Sequence, residues 1–191
     1  MALSKHHITV ELREILLKDR PKELLKISPK GTVPVLQNNN NVLDESLDII
    51  NWVIDNSDSD WKEINQDLQK DMIQINDNEF KHWLDRYKYS DRYPEQSKKY
   101  YRDKCKKYLD DYESKLKDKV FLMGNKIQMV DVAIFPFIRQ FAFTDKDIFS
   151  KSFPRFFNYL EIFLESDLFV SVMYKYPVWS DKSKKLITDF N

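Results

Sequence analysis

From Ser46 to the neighbourhood of Tyr174, apolar residues recur every three or four positions, a spacing that buries them only if the chain is helical. The residues before Ser46 follow another rule. In ITVELREILL at 8–17, Ile8, Val10 and Leu12 alternate with polar neighbours before the run becomes continuously apolar, which predicts a strand of about six residues. Pro21 then opens a short helix, PKELLKIS, because a missing N–H costs nothing in a first turn. Gly31 and Pro34 punctuate the next segment, where Val33, Val35 and Leu36 suit a strand. The asparagines at 38–41 form a loop into a second short strand, NVLDE, closing a hairpin. Ser46 or Asp44 is placed to cap a helix that turns Leu47, Ile50, Val53 and Ile54 to one face. The first part therefore reads βαββα, and NSDSD at 56–60 is the linker. Two domains are expected, a mixed α/β unit over 1–56 and an all-α helical bundle over 61–191.

In the second part, Ile64, Leu68, Ile75, Trp83, Leu84 and Tyr87 are the expected inward residues of a long helix broken by YSDRYPE at 89–95. Tyr101, Cys105, Tyr108, Leu109, Tyr112 and Leu116 form one stripe on the next. Further helices are expected near Met129–Phe143, Phe153–Glu165 and Asp167–Tyr174. Composition narrows the function classes. The 31 basic and 31 acidic residues balance, so nothing points to a nucleic-acid or membrane surface. No apolar run is long enough to span a bilayer. The single cysteine, Cys105, excludes an internal disulfide, fits a reducing cytoplasm, and falls on an apolar stripe, where it reads as a core thiol. With 2 glycines there is no Gly-rich phosphate loop, and adjacent His6 and His7 lack partners at metal-ligand spacing, so no metal is expected.

Val33-Pro34 before the first hairpin strand and Glu45-Ser46 at the following helix start resemble the thioredoxin-like domain of the glutathione S-transferase superfamily. FKHWLDRYKYSDRYPE at 80–95, QMVDVAIFPFIRQFA at 128–142 and KYPVW at 175–179 are similar to the helical domain and tail of its bacterial members. The resemblance implies that Pro34 is cis, so that Val33 pairs through its backbone with the cysteinyl part of glutathione like an added strand. It implies that Glu45 pairs with the γ-glutamyl ammonium and Ser46 with the γ-glutamyl carboxylate, at a helix end suited to anions. Arg20 lies where related members place a cation near the glycyl carboxylate. His82, Arg86 and Tyr87 fall in the region that faces the second substrate, although packing serves them equally well. Asp131 sits in the family's helix-start motif, with Gln128, a poor capper, at the cap position.

Family members begin with a strand and a turn bearing the catalytic Cys, Ser or Tyr, whereas Met1-Ala2-Leu3 is similar to the middle of the helix after that turn. The resemblance therefore implies that the first strand and catalytic turn are missing, leaving no catalytic residue in this chain. Either the start is assigned too late, at an internal Met of the first helix, or the strand at 8–16 moves in beside 33–37 or a partner chain supplies the sheet edge. The expected function is glutathione binding for conjugation or thiol–disulfide exchange, with a small electrophilic or disulfide second substrate and a homodimeric assembly. The alternative is a non-catalytic transferase-like binding module.

Overall fold

Chain order in the first unit is α1 (Ala2–Lys5), β1 (Val10–Glu11), α2 (Lys22–Ile27), β2 (Leu36–Asn38), β3 (Asn41–Leu43) and α3 (Ser46–Asp55), so the βαββα order is present. The computed structural model describes residues 1–190. It divides them into a thioredoxin-like unit with small sheets, made of Met1–Ser59 and the residues from Ser166 on, and a helical unit over Asp60–Glu165. The residues from Ser166 on include α10 (Asp167–Ser171) and β4 (Ile187–Thr188).

The hairpin pairs Leu36 with Leu43, Gln37 with Val42 and Asn38 with Asn41. Only Asn39 and Asn40 are left to turn the chain, and Asn39 adopts φ +53°, a conformation asparagine tolerates better than most residues. The strand expected near 8–17 is much shorter than six residues. Its regular part is Val10–Glu11, and its antiparallel partner is β4, with Val10 opposite Thr188 and Glu11 opposite Ile187. The strand from Val10 does not move in beside the first hairpin strand, since β1–β4 and β2–β3 are separate two-stranded sheets. The tail takes the edge instead. Leu12 N–H donates to the Leu186 carbonyl (2.8 Å), Trp179 N–H donates to the Glu14 carbonyl (2.8 Å), and the Arg13 guanidinium lies 4.8 Å from the Trp179 ring centre. Strand geometry lasts only where a partner satisfies the backbone.

The helical unit contains α4 (Gln66–Ile75), α5 (Lys81–Lys88), α6 (Lys98–Lys115), α7 (Met129–Thr144), α8 (Lys146–Ser152) and α9 (Pro154–Glu165), with a π-helical turn over Asn76–Phe80 between α4 and α5. Leu68 and Ile75, expected inside, are exposed. Gln69, Met72, Ile73, Asn76 and Phe80 face inward. Hydrophobicity misled because Gln69 has a buried partner: its side-chain oxygen accepts the Val130 N–H at 3.1 Å. Of the expected α6 stripe, Tyr101, Cys105, Leu109, Tyr112 and Leu116 are buried, while Tyr108 is half-buried and its hydroxyl donates to Glu79. Helix α8, absent from the sequence reading, starts where Asp145 accepts the Ile148 N–H at 3.1 Å. Aromatic rings fill the core, with Phe135 and Phe163 stacked at 4.0 Å and Phe141, Phe153 and Phe156 around Phe149.

The start of α7 is closed by the Asp131 carboxylate in a capping box with Gln128. Asp131 is fully buried, and its two oxygens accept the Gln128 N–H (2.8 Å) and the Leu122 N–H (3.0 Å). With Gln69 on Val130, two otherwise orphaned donors of the helix start are satisfied, and Asp131 takes the Leu122 N–H from the preceding segment as well. Asp131→Ala strands two buried amides and is expected to lower the unfolding free energy by about 3 kcal/mol in urea titrations, with a smaller loss for Asp131→Asn. Burial pushes the Asp131 carboxyl up to about 7, against the opposing pull of those N–H donors. Between an ordinary carboxyl value and about 7 the folded chain then holds a proton that the unfolded chain releases. This group's contribution to stability therefore falls as pH rises through that window and levels off above it. Subtracting the Asp131→Asn stability profile from the wild-type profile isolates this slope; a difference that is flat from pH 4 to pH 7 contradicts it.

Candidate functional site

The Val33–Pro34 peptide is cis and Val33 is 46% exposed. Two residues earlier, Gly31 adopts φ +62°, which favours glycine. A Cβ there would meet Leu25 Cδ2 at 3.0 Å and Arg20 Cδ at 3.1 Å. The bare backbone thus lets the aliphatic stem of Arg20, whose side chain is otherwise exposed, lie against this loop.

The loop is tied at both ends to the segment that leads into α3. Beyond Val33, Leu36 pairs with Leu43. Before it, Lys30 Nζ donates to Asp44 Oδ1 (3.0 Å) and Glu45 Oε1 (2.9 Å), while the buried Ser28 hydroxyl donates to Asp44 Oδ2 (2.9 Å). Hydrogen bonds with Glu45 and then Asp44 raise the Lys30 pKa above the ordinary lysine value. Those from Lys30 and then Ser28 hold Asp44 below the usual carboxyl range. Sequence reasoning missed Lys30 and the Asp44 role, because both depend on a turn that folds 14 residues of chain back on themselves.

Neither expected cap serves α3. Asp44 is engaged by Ser28 and Lys30, and Ser46 is the first helical residue rather than the cap. The cap position belongs to Glu45, whose side chain takes no hydrogen bond from the first turn. The exposed Ser46 hydroxyl therefore stands at a helix end whose leading amides have no side-chain cap. Such an end favours a carboxylate by about 0.3–1 kcal/mol through the helix dipole. Val33, Pro34, Glu45 and Ser46 thus flank one tied loop, with Arg20 against its glycine.

Other sequence candidates stand apart. Tyr87 is core, 2% exposed and 5.0 Å from the Phe141 ring, so it lines no open surface. Arg86 donates to the His82 carbonyl (3.2 Å) and lies 4.7 Å from the Tyr93 ring. His6 is held between the Ala2 carbonyl (2.9 Å) and the Ser59 hydroxyl (2.7 Å); His7 is exposed. Among the described residues, no three His, Cys, Asp or Glu side chains gather as a metal-ligand set, and no helix is long and apolar enough to cross a membrane.

With this geometry in view, the family comparison is unambiguous. Residues 1–61 match the N-terminal domain of glutathione S-transferases, and residues 72–167 match the C-terminal domain. The chain belongs to the glutathione S-transferase family. No curated protein sequence matches it. Among solved structures it is similar to a Phanerochaete chrysosporium glutathione transferase in complex with oxidized glutathione, with 21% identity, TM-score 0.71, and coverage of 90% of this chain and 86% of that one. It is also similar to BphK, a bacterial glutathione transferase solved as a ternary complex, with 18% identity, TM-score 0.70, and coverage of 89% and 88%. Glutathione S-transferase 1-6 from Anopheles dirus species B follows at 19% identity and TM-score 0.70, with coverage of 85% and 80%.

Cys105 takes no part in the candidate site. It is fully buried in the helical unit, and desolvation pushes its thiol up to about 12, far from a nucleophilic thiolate at neutral pH. A thiol-reactive chromogenic disulfide is therefore expected to leave the native protein unlabelled over minutes at pH 8 and to titrate one thiol after denaturation. Rapid native labelling contradicts this.

Proposed function

We propose that the thioredoxin-like unit binds glutathione in an extended form along Val33, placing the γ-glutamyl end at Glu45 and Ser46. The observation that carries this reading is the exposed Val33 segment, tied on both sides to the segment that leads into the uncapped start of α3, in a member of a glutathione-using family. In this reading the Val33 backbone hydrogen-bonds the cysteinyl residue as a neighbouring strand would. The first turn of α3 and the Ser46 hydroxyl receive the γ-glutamyl carboxylate, and the Glu45 carboxylate receives the ammonium. Arg20, positioned by its contact with Gly31, serves the glycyl carboxylate.

The bound thiol is used in conjugation to a small electrophile or in exchange with a glutathione mixed disulfide. We assign the residues above to binding and orientation, and none of them to covalent chemistry. A cytoplasmic homodimer in a bacterial cell is the setting that fits this reading, and light scattering tests the assembly. A support from outside the chain is the similar Phanerochaete chrysosporium enzyme, whose structure contains oxidized glutathione.

Calorimetric titration with glutathione tests the reading. Saturable binding is expected, and Ser46→Ala is expected to weaken it about tenfold, the size of a hydrogen bond to a charged group. No heat at millimolar glutathione, or an unchanged dissociation constant for Ser46→Ala, overturns it.

A further inference from the structure

Glu45 already holds a cation. Lys30 Nζ lies 2.9 Å from Glu45 Oε1, and an alkylammonium is the same chemical group that a γ-glutamyl ligand would bring there. Resting on the glutathione reading above, we propose that Lys30 is a specificity-determining residue that competes from within the chain for the ligand's ammonium site.

The two carboxylates around Lys30 are not equivalent. Asp44 is anchored, since its second oxygen accepts the hydroxyl of Ser28, which is 1% exposed. Glu45 has a side chain 63% exposed and no helix-capping bond. Lys30 can therefore surrender Glu45 while keeping Asp44 at 3.0 Å. The exchange replaces one exposed ion pair by another of the same kind. An ammonium on the ligand then gains little over a ligand that lacks it, because the pair it makes costs the pair it breaks. Removing Lys30 leaves Glu45 open, and the ligand ammonium then contributes its whole interaction. A lysine that served only to attract the ligand's carboxylates would behave differently. Its loss would weaken ligands with and without the ammonium alike, leaving their ratio unchanged.

The test compares glutathione with its des-amino analogue, glutaryl-cysteinyl-glycine, by calorimetry on the full chain and on Lys30→Met and Lys30→Arg variants. Wild type and Lys30→Arg are expected to bind the two peptides within about twofold of each other. Lys30→Met is expected to prefer glutathione by about fivefold, the upper range for an exposed ion pair. Lys30→Gln provides the same readout if the methionine variant fails to fold. An unchanged ratio of the two affinities in a folded neutral variant overturns the competition while leaving the pocket standing. Absence of binding by both peptides to every protein overturns the pocket, and the competition with it.

Discussion

The helical unit depends on one buried carboxylate. Asp131 sits at the start of α7 without solvent contact, and its oxygens meet two backbone amides from different parts of the chain. A helix that begins inside a core brings unsatisfied N–H groups with it, and water cannot reach them. Asp131 serves the amides of Gln128 and Leu122, and Gln69 reaches from α4 to Val130. Helix α9 is started by the same means. Glu113 on α6 accepts the N–H groups of Arg155 (3.1 Å) and Phe156 (2.8 Å), just after Pro154, which has no N–H to satisfy. Asp131 together with Gln69 of α4 thus fixes where α7 begins, and Glu113 of α6 fixes where α9 begins.

The thioredoxin-like unit handles its helix end in the opposite way. At α3 the available acid, Asp44, is drawn toward Ser28 and Lys30, and Glu45 leaves the first turn without a side-chain cap. In the helical unit an open helix end would be a defect. On an exposed surface beside the cis Val33–Pro34 loop, it is a place where a ligand carboxylate can do what Asp131 does internally. Polar groups are completed from within where the chain is scaffold and left incomplete where a ligand is expected.

Several of these features were legible in the sequence because their causes are local. The asparagine-rich turn, the apolar stripe of α6 and the adjoining pairs Val33-Pro34 and Glu45-Ser46 each lie within a few residues of one another. What escaped depends on contacts between distant segments. The segment around Val10 looked like a strand of about six residues, yet strand pairing stops where β4 ends, more than 170 residues away. Gln69 was not among the expected inward residues, because only a buried amide of α7 offsets the cost of burying it. Lys30 drew no attention in the sequence, because only the turn brings it to Asp44 and Glu45. Tyr87 was open to either role from sequence, and its ring contact with Phe141 assigns it to the core.

The central claim is that the loop at Val33 and the start of α3 form one glutathione-binding surface. Amide chemical-shift mapping on uniformly nitrogen-15-labelled protein measures this most directly. Addition of glutathione to millimolar concentration is predicted to shift the amides of Val33, Glu45 and Ser46 together, along one saturation curve, while those of Gln128 and Leu122 at the Asp131 carboxylate stay in place. Shifts confined to the helical unit, or none at all, would contradict it.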